Sequence, residues 1–195
     1  MNQEMRNAEE ASYAHEQLEH YQRKILDSGT RRQFESGAVR DIAEGKGRFD
    51  LLPLDTIANY ILTMYEKPED TRTYSFAKMI CGINNFIRLG DVHDLYNVIN
   101  TFSHEQGYES VTRMCIELSK HYEEGAKKYA ERNWEKGIPA HCFVDSGLRH
   151  LFKWYDCWDD EPHDRAFVWN MFGLIWTIDR YPELNDLPYA KGEEK

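Results

Sequence analysis

The 195-residue sequence has no apolar run approaching the eighteen or so residues that a bilayer-crossing helix needs. Its opening, MNQEMRNAEEASYAHEQ, also lacks the apolar centre of a signal peptide. These two absences predict a cytoplasmic protein with no membrane partner. Cysteine is scarce. Cys81, Cys115, Cys142 and Cys157 form no CxxC pair and no clustered set, which excludes a zinc knuckle or a secreted disulfide framework and predicts reduced, mostly buried thiols. Six prolines and twelve glycines are too few for a low-complexity chain. There is no long Lys/Arg run, and a net charge of -10 repels a phosphate backbone, so general nucleic-acid binding is excluded while a small anion remains compatible. No apolar/polar alternation is long enough to predict a sheet, and no internal repeat is visible.

What is abundant is aromatic and helical. Five Trp, twelve Tyr and nine Phe supply one sizeable core. Helical spacing predicts an all-α fold, a compact bundle of about six to seven helices with a Gly/basic loop near the N-terminus. Residues 1–30 read as an N-terminal helical arm from Ala8 to about Leu26, and 29 to 53 as a structured loop. Helices follow from Pro53 to Tyr65, over 70 to 89, around Leu95 to Phe102, from about Glu109 to Ala130, from His141 to Tyr155 and from Pro162 to Arg180. The domain is drawn as 31–182, with an inserted helical segment at about 68–108 and a frayed polar tail over 183–195.

Several residue groups are suited to chemistry. In Arg40-Asp41-Ile42-Ala43-Glu44-Gly45-Lys46-Gly47-Arg48, glycines permit close backbone approach, and Arg40, Lys46 and Arg48 match phosphate oxygens. An ordinary charged loop has the same composition. Glu117, His121 and Glu124 recur at i, i+4 and i+7, so they share a helix face. Carboxylates so stacked call for a cation between them, with Mg²⁺ or Mn²⁺ the candidate, unless the face is simply solvated. Lys127 and Lys128 suit a helix C-terminus, or else join Tyr129 and Asn133 in gripping phosphate or sugar while Trp134 stacks on a base. Asp145 and Arg149 form an i, i+4 pair beside His150, and His163 and Asn170 interrupt an apolar stripe. Asp159, Asp160, Glu161 and Asp164 are explained by the positive end of the last long helix. His163-Asp164 is also the dipeptide of the metal-dependent HD phosphohydrolases, with His121, His150 and Asp179 available as its partners.

The order of these segments, FESGAVRD-IAEGKGRFDLLP, GAKKYAERNWEKGIP, DSGLRHL and HDRAFVWN, resembles the phage and prophage family described as the N-terminal domain of dATP/dGTP diphosphohydrolase. That family is related in activity to MazG-like all-α nucleotide pyrophosphohydrolases. The resemblance implies cleavage of a purine (d)NTP to (d)NMP and pyrophosphate, in the host cytoplasm if the protein is phage-encoded. It implies Mg²⁺ or Mn²⁺ on Glu117 and Glu124, with His121, Asp145, Asp160 or His163 assisting. Arg40, Lys46, Arg48, Lys127, Lys128, Tyr129, Asn133, Trp134, Arg149, His150 and Asn170 would bind substrate. The MazG patterns EExxE and ExxD are not reproduced. A homo-oligomer, dimer or tetramer, is expected because such enzymes build sites between subunits. The alternatives are a non-catalytic nucleotide-sequestering protein, an HD-type phosphohydrolase and a helical interaction protein. The hydrolase reading further predicts that Arg48 faces Glu117 across a triphosphate-sized gap.

Overall fold

The computed structural model describes Ile25 and residues 29–42, 46–64 and 71–192. Within these, seven α-helices dominate: α1 (Leu54–Met64), α2 (Thr71–Leu89), α3 (Val92–Glu105), α4 (Val111–Tyr129), α5 (Ala140–Tyr155), α6 (His163–Arg180) and the short α7 (Pro188–Lys191). The fold is all-α in its architecture, and the six longer helices fall within a few residues of the expected limits. The arm at 8–26, the loop centre at 43–45 and the end of the first long helix at 65–70 lie outside the described residues, Ile25 apart.

Local chemistry accounts for the helix starts. The Asp91 carboxylate accepts from the His93 N–H at 2.9 Å to cap α3, and the Ser110 hydroxyl accepts from the Arg113 N–H at 3.2 Å to cap α4. Packing supplies the rest. Phe76, Met79, Ile80, Ile83 and Phe86 repeat along α2 at helical spacing and are all buried. Helices α5 and α6 run against each other at the centre, made possible by glycine: a Cβ on Gly173 would stand 2.5 Å from the Phe143 ring, and one on Gly147 would stand 2.6 Å from Met171. Helix α4 lies on α6. The segment read as an insertion joins this same core, with Phe76 stacked on Tyr155 at 3.9 Å and Phe102 set against Phe167 and Trp154 at 4.6 and 4.7 Å.

Three expectations are corrected. A sheet does exist: β1 (Arg31–Gln33) pairs antiparallel with β2 (Val39–Asp41), Arg32 opposite Arg40. Three residues per strand are too few for alternation to register in sequence. The tail is not frayed through its described length. Leu187 is buried, Tyr189 packs edge-on against Phe86 at 5.6 Å, and the Asp186 carboxylate accepts from the His141 N–H at 3.0 Å, capping α5 from a distant part of the chain. The cysteines are free but not mostly buried, since only Cys142 is buried while Cys115 and Cys157 are exposed.

Candidate functional site

The hairpin, the C-terminal half of α4, the 3₁₀ turn Asn133–Lys136, and the facing sides of α5 and α6 enclose a cavity of about 970 Å³. The hairpin is fastened by side chains. The Asn133 amide accepts from the Val39 N–H at 3.1 Å and donates to the Val39 carbonyl at 2.9 Å, completing the edge of β2 as a further strand would. Lys128 and Tyr129 donate to Asp41 at 2.8 and 3.0 Å. Although burial opposes it, these two donors hold the Asp41 carboxyl below its usual pKa. The loop beyond β2 is tied to α5. The Phe49 N–H donates to Asp145 at 2.7 Å, and Arg149 donates to the carbonyls of Lys46 and Gly47 at 3.1 Å each while pairing with Asp145.

Arg40 stands in the cavity wall. Its guanidinium donates to the Cys142 carbonyl at 2.9 Å and to the Asn170 amide oxygen at 3.0 Å, and lies 5.5 Å from the rings of both Phe143 and Trp169. Among the described residues no carboxylate forms an ion pair with it. Desolvation pulls its pKa down, and Arg32 and Arg149 add charge of the same sign. Lys46, also in the lining, sits 4.0 Å from Asp41 and is 40% exposed. The other wall is aromatic: Trp134 packs edge-on against Trp176 at 4.7 Å and Tyr122 at 5.4 Å, with Trp169 nearby. His121 lies 5.7 Å from Trp169, and burial lowers its pKa to about 3, so it is a neutral base at every physiological pH.

At the end of the cavity lined by His150 and Glu161, a second polar group forms. His163 sets Nε2 2.7 Å from Asp160 and Nδ1 2.9 Å from His150 Nδ1. A Glu161 oxygen lies 3.7 Å from His150 and 3.9 Å from His163. Desolvation, reinforced by His163, pushes the His150 pKa well below the ordinary imidazole value. Asp160 spends its other oxygen on Lys153 at 2.7 Å.

Of the residues singled out in sequence, Arg40, Lys46, His121, Tyr129, Asn133, Trp134, Asp145, Arg149, His150 and Asn170 line the cavity together. Arg48, Glu117, Glu124, Lys127, Lys128, Asp160 and His163 are not in its lining. The expected confrontation of Arg48 with Glu117 is corrected. Arg48 is exposed and donates to Asp50 at 2.7 Å, whereas Glu117 is buried and takes two bonds from Lys120 at 2.8 and 2.9 Å. Glu124 accepts from the Ile25 N–H at 3.0 Å and lies 3.7 Å from the buried Arg165. Lys127 pairs with Glu123 along the exposed side of α4. The carboxylate of Asp164, the second half of the HD dipeptide, accepts from the Tyr108 hydroxyl at 2.9 Å.

Sequence reasoning missed Arg32, Tyr122 and Trp169 in the lining, and left Glu161 as a helix-end charge. For Arg32 the cross-strand pairing with Arg40 was the missing information. For Glu161 the signal was its place two residues before a histidine that faces another histidine one helix away.

Residues 108–187 match the family model described as dATP/dGTP diphosphohydrolase, N-terminal. No curated protein and no solved structure matches the chain. Among the described residues, no helix is long and apolar enough to cross a membrane.

Proposed function

We propose, with the similarity of residues 108–187 to that diphosphohydrolase family as premise, that the cavity binds a purine deoxynucleoside triphosphate and cleaves it to the monophosphate and pyrophosphate. In this reaction water adds to the α-phosphorus, the bond from that phosphorus to the bridging oxygen breaks, and a proton is released. The observation that carries the reading is Arg40, a partly buried guanidinium in a cavity wall with no described carboxylate to neutralise it. Such a charge is costly without an anion. Phosphate oxygens satisfy it, and Lys46, 40% exposed, lines the same cavity, whereas Arg149 is already paired with Asp145. The aromatic wall of Tyr122, Trp134 and Trp169 suits the face of a base. A volume of about 970 Å³ lies within the usual size of small-molecule sites.

Three lining residues act as tethers in this reading. Arg149, held by Asp145 and two loop carbonyls, fixes the basic loop over the phosphates. Asn133 and Asn170 use their amides on β2 and on Arg40, and so position groups that touch substrate. The chemistry of this class uses a divalent ion, Mg²⁺ or Mn²⁺, to offset charge at phosphorus. Glu117 and Glu124 fit that ion poorly: each already has a cationic neighbour, and neither lines the cavity. No step is assigned to them.

Incubation with dGTP or dATP and Mn²⁺, followed by pyrophosphate detection, tests the proposal. Turnover with pyrophosphate release supports it. Release of intact triphosphate assigns the HD-type reaction instead. Tight binding without any product leaves a nucleotide-sequestering protein, a reading favoured by how many polar groups here serve as tethers. A cytoplasmic location follows from the substrate, and a homo-oligomer is part of the proposal because Tyr60 and Leu89 expose 64% and 74% of their surface. Light scattering at working concentration reads that directly.

A further inference from the structure

We propose that His150, Glu161 and His163 form a binding site for one divalent transition-metal ion of borderline softness, of the Fe²⁺, Co²⁺ or Zn²⁺ class. The three ligand atoms lie within 4.8 Å of one another. The individual separations are 2.9 Å between the two Nδ1 atoms and 3.7 and 3.9 Å from these to the Glu161 oxygen. Ligands about 2.05 Å from a tetrahedral ion stand about 3.3 Å apart, so the observed triangle brackets the required one and needs shifts of only a few tenths of an ångström.

The His163 tautomer agrees with this use, whereas His150, whose Nδ1–H donates to His163 Nδ1 in the ion-free protein, must shift this proton to Nε2 or release it when an ion binds. A carboxylate only accepts, so Asp160 fixes the proton of His163 on Nε2 and leaves a lone pair on Nδ1, pointed at the centre of the cluster. This carboxylate–histidine arrangement is what orients an imidazole toward a metal. Asp160 itself is committed to His163 and Lys153, which makes it a positioning residue and not a ligand. Two imidazoles and one carboxylate favour borderline transition metals over Mg²⁺ or Ca²⁺, which prefer all-oxygen sites. Three protein ligands leave coordination positions open. His150 and Glu161 both line the cavity that Lys46 and Arg149 also line, so two of the three ligands border the proposed phosphate-binding space. A catalytic use of the ion rests on the nucleotide reading above; its binding does not.

The test is a titration of the EDTA-dialysed full chain with Co²⁺, following visible d–d absorption, with calorimetry for Zn²⁺. The expected result is about one ion per chain, undisturbed by an equal concentration of Mg²⁺. His150→Ala and Glu161→Gln should abolish the absorption band. Asp160→Asn, which leaves all three ligands in place, should weaken binding about ten- to hundredfold. Circular dichroism melts of each variant confirm folding. The proposal is overturned if wild-type protein takes up no Co²⁺ at millimolar concentration, if Mg²⁺ competes equally, or if folded variants bind as wild type does. Metal binding in a protein that cleaves no nucleotide leaves this site standing and removes only the hydrolase reading.

Discussion

Replacing Arg40 by Met separates the ligand-binding role of that guanidinium from a purely architectural one, because the two roles predict opposite readouts. Arg40 makes two hydrogen bonds, to the Cys142 carbonyl and the Asn170 amide oxygen, and lies over two aromatic rings. Removing the guanidinium leaves the buried Asn170 oxygen without that donor, a cost of about 1–3 kcal/mol. It also removes the desolvation penalty of a partly buried charge that no described carboxylate pairs with, which is of similar or larger size. The methionine side chain still packs between Phe143 and Trp169. The two terms offset, so the variant should unfold within about 1 kcal/mol of wild type, moving Tm by less than about 4 °C in a chain of this size. Nucleotide affinity should behave differently. Truncating one member of a desolvated charge pair costs about 2–5 kcal/mol, and about 2.7 kcal/mol corresponds to a hundredfold weaker Kd. Equilibrium dialysis with a non-hydrolysable dGTP analogue, run beside thermal melts, measures both. A variant destabilised by more than 3 kcal/mol or so with undiminished nucleotide affinity would refute the reasoning.

Gly173→Ala should destabilise by about 2–3 kcal/mol, lowering Tm by roughly 4–10 °C, because the new methyl group meets the fully buried Phe143 ring; differential scanning calorimetry reads this. Gly125→Ala is the control: among the described residues no atom beyond its own helix backbone lies within 4 Å of the added Cβ, and removing chain entropy inside α4 should stabilise by about 0.5–1 kcal/mol. The His141–Asp186 contact should give a pH-dependent increment. Hydrogen bonding to Asp186 raises the His141 pKa to about 10 from 6.5, so its contribution is complete below pH 6.5 and is lost as pH rises toward 10. Asp186 is held below its usual 3.8 despite burial, so its contribution is lost on acidification instead. Asp186→Asn should therefore cost most between about pH 4 and 6.5, by roughly 1 kcal/mol given partial exposure, and nothing extra above pH 10. Asn133→Ala should raise the exchange rate of the Val39 amide hydrogen at least about tenfold, measured by NMR, since a bond of about 1.4 kcal/mol is removed.

The helices were legible because each carries its own periodic apolar stripe and its own stop signals, as in Phe76 to Phe86 and the Gly90-Asp91 junction. The hairpin was not, because its strands are only three residues long and the free edge of β2 is held by Asn133, some ninety residues away. The α7 segment was unreadable for the same reason: Leu187 is buried, and Tyr189 packs on the core only because distant α2 brings Phe86 beside it. On α4, helical spacing put Glu117, His121 and Glu124 on one side and asked for a cation near them, with Mg²⁺ or Mn²⁺ the candidate. Sequence could not say that Lys120 and Arg165 stand there. The basic loop and the α5 pair Asp145–Arg149 were found separately, and only folding shows that one holds the other in place.

The aromatic seam between the family-matched region and the helices ahead of it sets a limit on how this protein can be cut. Tyr155 is covered by Phe76, and Phe167 and Trp154 by Phe102, so a fragment starting at Tyr108 would bare a greasy flank on α5 and α6. That fragment should precipitate or self-associate when expressed alone. Any piece of this chain meant to fold by itself must therefore keep α2 and α3 together with the matched stretch.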